Sequence, residues 1–237
     1  MRVTVVIPTY NEARSIARVL DEIPASLVTE VLVVDAGSTD GTAEIAAAHG
    51  ARVIVDPRRG YGRACLTGLA SARSPDTVVF LDGDYSDRPS ELGRLIEPIR
   101  EGRADVVLGS RLAGGLAPGA MPWHAVFGNR LAASLIRWLY GIPLTDLGPF
   151  RAARYEVLRA LDLRELTYGW PVELVTRGAM QRYRVMEVPV SYHRRIGVSK
   201  ISGTVKGSIG AAWCIFAGIV KNRLSAPPSR AEPGPAA

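Results

Sequence analysis

The chain has 237 residues, of which 47% are hydrophobic and 22% charged, which suits a folded domain and excludes a disordered or collagen-like chain. Two cysteines and three scattered histidines show no spacing typical of a zinc site, an iron–sulfur site or a disulfide framework, so a reducing, cytoplasmic compartment is expected. Residues 1–99 hold 10 basic and 14 acidic side chains, whereas residues 100–237 hold 19 and 9. An acidic half followed by an arginine-rich half suits a metal site beside a phosphate site.

The first half alternates between strand-like and helix-like segments. Short runs rich in β-branched residues predict strands covered on both faces, at Val3–Ile7, Val31–Val34, Val53–Val55, Val78–Leu81 and Val106–Leu108. Helices are expected between them, near residues 12–22, 41–49, 62–73 and 89–100. This alternation predicts an α/β domain with a mainly parallel central sheet flanked by helices, and ligands are then expected beyond the carboxyl ends of the strands.

The second half is less regular. Residues 112–122 are rich in Gly, Pro and Ala and predict a loop. Further segments predict helices over residues 123–140, 152–162 and 170–180, and a strand over Val185–Tyr192. The expected organisation is one domain over residues 1–203, an amphipathic helix over residues 204–224 and a disordered tail over residues 225–237.

The final predicted helix bears on membrane contact. It carries an apolar stripe formed by Val205, Ile209, Trp213, Phe216 and Val220. Its uncharged segment, residues 207–220, spans roughly 21 Å at ~1.5 Å per residue, which is short of the ~30 Å hydrocarbon core of a bilayer. The stripe is therefore expected either to lie on a membrane surface or to pack on the protein itself or on a second subunit. The apolar N-terminal run ends at Pro8 and is too short for a signal segment.

The segment Asp82-Gly83-Asp84 follows the fourth predicted strand. Two carboxylates separated by one small residue can hold a hard cation such as Mg²⁺ or Mn²⁺, which shares its oxygen ligands with substrate phosphates. The alternative is a simple turn, because Asp-Gly is a common turn former. The motif predicts a metal site at the edge of the sheet.

Three further motifs lie at the starts of predicted helices. Asp35 ends a strand, where a carboxylate can accept hydrogen bonds from a base or a ribose. Tyr10 stands after the first strand and could stack on a base, whereas the neighbouring Glu12 also suits helix capping. The arginine- and glycine-rich residues 58–63 could cradle a phosphate or form a solvated loop.

The sequence resembles the family 2 glycosyltransferases of the GT-A fold, and most of all the polyprenyl-phosphate sugar synthases of the dolichyl-phosphate type. The resemblance covers about residues 1–206. Besides the motifs above, the matching segments are Ala104–Arg111, Gly128–Arg130, Leu144–Asp146, Phe150–Arg151, Glu187–Val190 and Arg195–Lys200. Each segment is weak alone, and their shared order carries the resemblance.

The resemblance implies a role for each matching residue. The nucleotide-sugar pocket would be formed by Pro8, Tyr10, Glu12, Asp35, Gly60, Arg63, Asp82, Gly83 and Asp84, with Asp82 and Asp84 as ligands of Mg²⁺ or Mn²⁺. The donor diphosphate and the acceptor phosphate would face Arg111, Arg130, Arg195, Ser199 and Lys200. The implied reaction is an inverting transfer from a UDP- or GDP-linked sugar to a polyprenyl phosphate at the cytoplasmic membrane face.

The acceptor decides whether a general base is needed. A phosphate acceptor is already ionised at neutral pH, whereas a hydroxyl acceptor requires a carboxylate to remove its proton. Asp146 and Glu173 are the candidate bases, although Asp146 also suits a helix cap. A soluble family 2 transferase acting on a hydroxyl compound therefore stays open as an alternative, and so does assembly into a homo-oligomer.

Two other classes of protein compete with a transferase. A nucleotidyltransferase would carry a glycine-rich phosphate loop after the first strand, where this chain has Pro8–Glu12. A non-catalytic glycan- or nucleic-acid-binding module is the second alternative, but a basic stripe interleaved with aromatic residues is absent and no nucleic-acid partner is expected.

The chain also departs from the family at Ala36, where a second aspartate is common, and at Ser86–Asp87, where Gln-His is common.

Overall fold

A computed structural model of the chain describes residues 1–197 and 216–223. The strands of this part are β1 (Val3–Thr9), β2 (Glu30–Asp35), β3 (Arg52–Val55), β4 (Thr77–Phe80), β5 (Val106–Ser110), β6 (Arg151–Arg154) and β7 (Val185–Pro189). The α-helices within residues 1–197 are α1 (Ile16–Asp21), α2 (Thr42–Ala48), α3 (Tyr61–Ser71), α4 (Leu92–Arg100), α5 (Arg111–Gly114), α6 (Trp123–Tyr140), α7 (Tyr155–Ala160) and α8 (Trp170–Met180). The α/β class and the alternating first half are as predicted.

The strands form one mixed sheet in the order β3-β2-β1-β4-β6-β5-β7. β1 pairs in parallel with β2 and β4, β2 pairs in parallel with β3, and β5 pairs in parallel with β7. β6 runs antiparallel to both of its neighbours, β4 and β5. The sheet is therefore mainly parallel, and the carboxyl ends of β1, β2, β4 and β5 lie at one edge.

The prediction of a helix over residues 152–162 was wrong at its start. Arg151–Arg154 forms β6, and the helix begins only at Tyr155. Arg151 stands opposite Phe80 of β4 and Leu108 of β5, so this short segment supplies the backbone partners that both strands would otherwise lack. Ala152 and Ala153 are fully buried. Tertiary pairing thus overrides a local sequence with weak strand propensity.

Other boundaries differ by a few residues. α1 begins at Ile16 instead of residue 12, because residues 11–15 form a tight turn in which Asn11 has a positive φ of 53°. β7 ends at Pro189, which is well short of the predicted end at Tyr192. The predicted loop over residues 112–122 begins with most of the short helix α5.

Helices cover both faces of the sheet, as the unbroken apolar strands predict. One face packs on α3, α6 and α8, with Trp170 at its centre, and the other packs on α1 and α4. Trp170 is fully buried and meets Phe80 edge to face, with the ring centroids 4.7 Å apart. This packing fixes β4, and with it the position of the Asp82-Gly83-Asp84 turn.

Residues 216–223 form a helix that packs on the domain. Ile219 is buried in the core, its carbonyl accepts a hydrogen bond from Tyr140 Oη, and Asn222 Nδ2 donates to Thr176 Oγ1 over 2.8 Å. Of the predicted stripe, Phe216 packs half-buried against the core whereas Val220 is exposed, so the choice between packing and membrane contact stays a prediction. Val205, Ile209, Trp213, the boundary after residue 203 and the tail 225–237 lie outside the described residues. In the part described, no helix is long and apolar enough to cross a bilayer.

Candidate active site

Asp82 and Asp84 stand immediately beyond β4, at the edge of the sheet where β1 also ends. A β-carbon at Gly83 would lie 2.9 Å from Thr9 Cγ2, which is closer than side chains tolerate. The glycine therefore allows the turn to approach the end of β1. This close approach brings the carboxylates beside the turn that carries Tyr10 and Glu12.

The two carboxylates differ in their partners. Asp84 Oδ1 accepts hydrogen bonds from Ser86 N at 2.9 Å and from Ser86 Oγ at 2.6 Å. Arg195 Nη2 lies 3.1 Å from Asp84 Oδ2. Burial and the negative charge of Asp84 raise the pKa of Asp82 to about 7. A bound divalent cation would relieve this cost, because it favours both carboxylates in their charged form.

A third carboxyl group belongs to the same cluster. Asp87 is 1% exposed, and neither of its oxygens has a hydrogen-bond partner within the described residues. Burial, followed by the charge of Asp82, raises the pKa of Asp87 well above its usual range. The turn that leads to Asp87 is tight, since Tyr85 has a positive φ of 62°.

A segment from the second half of the chain closes over this cluster. Ile196 N donates to the Asp84 carbonyl and His193 N donates to the Ser86 carbonyl, each over 2.9 Å. The segment brings Arg195 into the cleft, where its guanidinium also lies 3.6 Å from Glu12 Oε1. Arg195 thus reaches a predicted metal ligand, while Ser199 and Lys200 lie outside the residues that the structure describes.

Two turns at the end of the sheet brace each other. Asn11 N donates to Ser38 Oγ over 2.8 Å, and Glu12 N donates to Thr42 Oγ1 over 2.8 Å. Asp35 is buried and accepts from Ser38 N at 2.8 Å and from Gly37 N at 3.1 Å. Its carboxylate therefore holds its own turn, and it is the neighbouring Ala36 that lines the cleft.

These elements enclose one cleft. Its walls are formed by Pro8, Thr9, Tyr10, Glu12, Ala36, Arg59, Gly60, Tyr61, Ala64, Asp82, Gly83, Asp84, Tyr168 and Arg195. Most residues predicted for the nucleotide sugar meet here, but Asp35 and Arg63 do not form part of the wall. The Arg59 guanidinium lies over the Tyr10 ring, 4.0 Å from its centroid, at the mouth of the cleft.

Two residues of the cleft wall, Tyr168 and Arg59, were not predicted as site residues, although Arg59 lies within the arginine- and glycine-rich residues 58–63. Tyr168 lies in the loop before α8, and the chain offers no signal that this loop reaches the first strands. The amides of Gly62 and Arg63 donate to carbonyls of that loop, to Thr167 O at 3.2 Å and Leu166 O at 3.0 Å. These two backbone donors are therefore used to position the loop and are not directed at a phosphate.

Arg111 and Asp146 form a buried ion pair. Arg111 Nε lies 2.7 Å from Asp146 Oδ2, and Nη2 lies 2.8 Å from Oδ1, with both side chains nearly inaccessible. Burial alone would raise the pKa of Asp146, but the hydrogen bonds from Arg111 outweigh it and lower the pKa. Arg111 N and Leu147 N donate to the same carboxylate, so all of its lone pairs face donors. This geometry suits an anchor for the end of β5.

Glu173 is held in the same way. Its Oε2 accepts from Arg164 N at 2.9 Å and from Glu165 N at 2.8 Å, and Arg177 Nε lies 2.9 Å from Oε1. The carboxylate thus fixes the loop before α8. Arg130, in contrast, stands exposed on α6 and is not part of the cleft wall.

The acidic cluster fits a cation that is shared with a ligand. Within residues 1–197 and 216–223, no three His, Cys, Asp or Glu side chains are arranged to hold a metal ion by themselves. Mg²⁺ and Mn²⁺ commonly take one or two carboxylates and complete their coordination with substrate phosphates and water. Asp82 and Asp84, with Arg195 beside them, supply such a donor set.

Comparison with known proteins agrees with the motif order. The model of the family described as Glycosyl transferase family 2 matches residues 4–162. A glycosyltransferase of Mycobacterium tuberculosis is 41% identical over 87% of this chain and 93% of its own length. Polyprenol monophosphomannose synthase of Mycolicibacterium smegmatis is 35% identical over 86% and 82%, and undecaprenyl-phosphate mannosyltransferase of Micrococcus luteus is 37% identical over 87% and 90%.

A solved structure shares the fold. Glucosyl-3-phosphoglycerate synthase of Mycobacterium tuberculosis, in complex with Mn²⁺, UDP-glucose and phosphoglyceric acid, matches with a TM-score of 0.75 and 26% identity over 94% of this chain and 79% of its own. The same enzyme was also solved with Mg²⁺ and UDP. The likeness confirms the predicted GT-A fold and replaces the alternatives of a nucleotidyltransferase and of a non-catalytic module. The chain belongs to glycosyl transferase family 2 and is a glycosyltransferase.

Proposed function

We propose that this glycosyltransferase moves a sugar from a UDP- or GDP-linked donor to a polyprenyl phosphate at the cytoplasmic face of the membrane, with inversion at the anomeric carbon. The observation that carries the proposal is the cleft in which Asp82 and Asp84 face Arg195 beside Tyr10. Relatives named polyprenol monophosphomannose synthase and undecaprenyl-phosphate mannosyltransferase support the choice of acceptor.

The cleft suits a nucleoside diphosphate as leaving group. Asp82 and Asp84 would hold Mg²⁺ or Mn²⁺, which, when bound, neutralises charge on the diphosphate. Arg195 adds a fixed positive charge beside Asp84, where negative charge grows as the glycosidic bond breaks. Tyr10, with Arg59 on its ring, supplies a flat surface at the mouth for the base.

The surroundings of two carboxylates favour a phosphate acceptor. Asp146 and Glu173 are the bases that the sequence suggests for a hydroxyl acceptor, yet each is buried and each of its oxygens already faces a donor. A phosphate oxygen is ionised at neutral pH and attacks without losing a proton, so it needs alignment and no base. This also suits the inversion, since a single direct displacement places the new bond on the opposite face of the sugar.

A soluble acceptor is the second candidate. The solved structural relative was crystallised with phosphoglyceric acid, a small phosphorylated acid, and not with a lipid. The cleft could bind the phosphate of either compound, but transfer to a hydroxyl of the soluble acceptor would also need a base, and the oxygens of Asp146 and Glu173 are already engaged.

The test begins with the donor. Full-length protein is heated with UDP-, GDP- and dTDP-sugars, with and without MnCl₂, because a ligand that binds only the native state raises the melting temperature. Stabilisation by one nucleotide sugar that disappears with EDTA is expected. The stabilising donor is then offered with undecaprenyl phosphate in detergent or with 3-phosphoglycerate. Transfer to the lipid alone supports the proposal, and transfer to phosphoglycerate alone favours the second candidate. Turnover unaffected by EDTA would contradict the metal role.

A further inference from the structure

The outer face of α6 is apolar and uncovered in the described part of the chain. Of nine large hydrophobic side chains that stand exposed there, four lie on this helix: Trp123 and Trp138, each 80% exposed, Phe127 and Leu131. They are separated by four, four and seven residues, so at 3.6 residues per turn they form a single stripe. The stripe is roughly 22 Å long at ~1.5 Å per residue.

The opposite face of α6 explains why the helix is stable with this stripe exposed. Ala132, Ala133 and Ile136 are buried and pack into the core between the sheet and α8. The stripe is therefore not needed to hold the helix on the domain. Exposed apolar patches of this kind mark interaction surfaces in folded proteins.

The charge around the stripe has one sign. Arg130 and Arg137 are exposed and, being seven residues apart, lie along one margin of the stripe. The sequence has no Asp or Glu between Asp105 and Asp146, so α6 and the loop before it carry no negative side chain. Neither arginine pairs with a carboxylate within residues 1–197 and 216–223. A basic margin, an apolar stripe and a tryptophan near each end are typical of a helix that lies in the headgroup layer of an anionic membrane.

We propose that the Trp123–Trp138 stripe of α6, with Arg130 and Arg137 on its margin, docks this protein on an anionic lipid bilayer. This docking rests on the proposed function, because a polyprenyl phosphate acceptor lies in a membrane. The loop before α6 connects this face to the cleft: Ala117 N donates to the Tyr192 carbonyl over 2.8 Å, three residues before Arg195. A docked α6 therefore holds the Arg195 side of the cleft near the plane of the phosphate headgroups.

A second copy of the chain suits this face less well. In a symmetric pair, the arginines of the two helices approach one another, and neither helix offers a carboxylate to pair with them. Anionic headgroups supply the missing negative charge. The membrane is therefore the occupant that matches both the apolar and the charged parts of the surface.

The experiment measures vesicle binding by flotation of the full chain without any substrate. Vesicles of phosphatidylcholine with about one third phosphatidylglycerol are compared with pure phosphatidylcholine vesicles, and binding to the anionic vesicles alone is expected. The double variant Trp123→Ala with Trp138→Ala should bind at least about tenfold more weakly than the unaltered protein. Arg137→Glu should lower binding to anionic vesicles by about tenfold.

Val55→Ala is the matched control, since Val55 is also an exposed apolar residue but lies on the edge strand β3. It should bind as the unaltered protein does. Melting temperatures with UDP or GDP and MnCl₂ should be the same in all variants, which shows that the fold and the donor cleft are intact.

Three results would overturn the docking surface. They are no vesicle binding by the unaltered protein, undiminished binding by the double variant, or a dimer in light scattering that the double variant converts to a monomer. The nucleotide readout keeps the two proposals apart. If the protein binds vesicles but nucleotides do not raise its melting temperature, the docking stands and the proposed function is removed. If nucleotides raise the melting temperature but the protein does not bind vesicles, only the docking is removed.

Discussion

Asp146 and Glu173 form one set of carboxylates and Asp82 and Asp87 a second, and the two sets differ in what surrounds their oxygens. Asp82 is half-buried in the wall of the cleft, and the other three are buried. Asp146 and Glu173 accept hydrogen bonds from backbone amides and pair with Arg111 and Arg177. Asp82 and Asp87, in contrast, accept no hydrogen bond within the described residues. Burial raises the pKa of both, followed by the charge of Asp84 for Asp82 and by the charge of Asp82 for Asp87.

The difference separates two uses of a buried charge. A carboxylate whose oxygens are all matched contributes to the position of a loop or strand and has little left to offer a ligand. A carboxylate that is partly or fully removed from water without matching donors destabilises the empty protein and gains most from an added cation. The first set suits anchoring, and the second set suits binding. Asp84 lies between the two sets, because Ser86 holds its Oδ1 while, in the described part of the chain, its Oδ2 faces only the Arg195 guanidinium, which is shared with Glu12.

The largest effect is expected from removing a predicted metal ligand. Asp84→Ala should lower sugar transfer by about a thousandfold or more, which is roughly 4 kcal/mol of transition-state stabilisation. The measurement is transfer at saturating MnCl₂. Asp84→Asn is a second variant that keeps an oxygen to accept hydrogen bonds from Ser86, so it tests the metal role even if Asp84→Ala fails to fold. Asp162→Asn alters an exposed carboxylate and should have normal activity. Near-normal turnover in both Asp84 variants would place the metal elsewhere.

Breaking the buried ion pair should cost stability. Asp146→Ala leaves the Arg111 guanidinium buried without its partner, and a loss of about 3–5 kcal/mol in the free energy of unfolding is expected. Urea denaturation measures it. The double variant Arg111→Met with Asp146→Leu should recover most of the loss, because it removes both charges. A double variant as unstable as the single one would assign the loss to the backbone hydrogen bonds.

The stability of the metal-free protein should depend on pH in an unusual direction. The pKa of Asp82 is raised from 3.8 to about 7 in the folded state, so the folded state holds the proton more tightly than the unfolded state. Stability should therefore fall as the pH rises between about 4 and 7, and the full loss persists at higher pH.

Melting temperatures at about pH 5 and pH 8, in EDTA and in MnCl₂, measure this dependence. Asp82→Asn should reduce the fall in EDTA without abolishing it, because the pKa of Asp87 is shifted in the same direction. Added MnCl₂ should stabilise the unaltered protein most at the higher pH, and an equal gain at both pH values would argue against these carboxylates as its ligands.

The smallest effect is expected at the second anchor. Glu173→Gln loses the ion pair with Arg177 but keeps an oxygen for the backbone amides, so a loss of about 1 kcal/mol is expected in urea denaturation. Its response to metal should be unchanged. The control is Glu156→Gln, which breaks the exposed ion pair between Glu156 and Arg154. Its free energy of unfolding should stay within about 0.5 kcal/mol of that of the unaltered protein. Lost metal dependence in Glu173→Gln would move this residue to the binding set.

The sequence was sufficient to predict the parts of the fold that rest on local pattern. The apolar runs predicted β1 to β5, and their alternation with helices predicted a sheet covered on both faces. β6 could not be predicted, because Arg151–Arg154 becomes a strand only when β4 and β5 lie on either side of it. The paired residues are more than 40 positions apart along the chain for β5 and β6, and more than 70 positions apart for β4 and β6.

The candidate site was predictable where residues follow strands directly. Tyr10, Asp82 and Asp84 meet in one cleft as expected. Tyr168 reaches the same cleft from a loop that only tertiary packing brings there. Asp35 also stands after a strand, yet its carboxylate faces its own turn, because nearby amides satisfy it first. The end of a strand thus predicts where a residue lies, whereas the hydrogen-bond donors around it decide whether its side chain faces the cleft or its own turn.

The antiparallel strand β6 has a consequence for dividing the chain. A cut in the loop between Pro118 and Gly119 leaves β5 in the first piece, while its only strand partners in the described sheet, β6 and β7, stay in the second. In that second piece β6 and β7 are not neighbours, since β5 separates them. Neither fragment can complete its sheet alone, but together they can, so the molecule is suited to fragment complementation as a split enzyme.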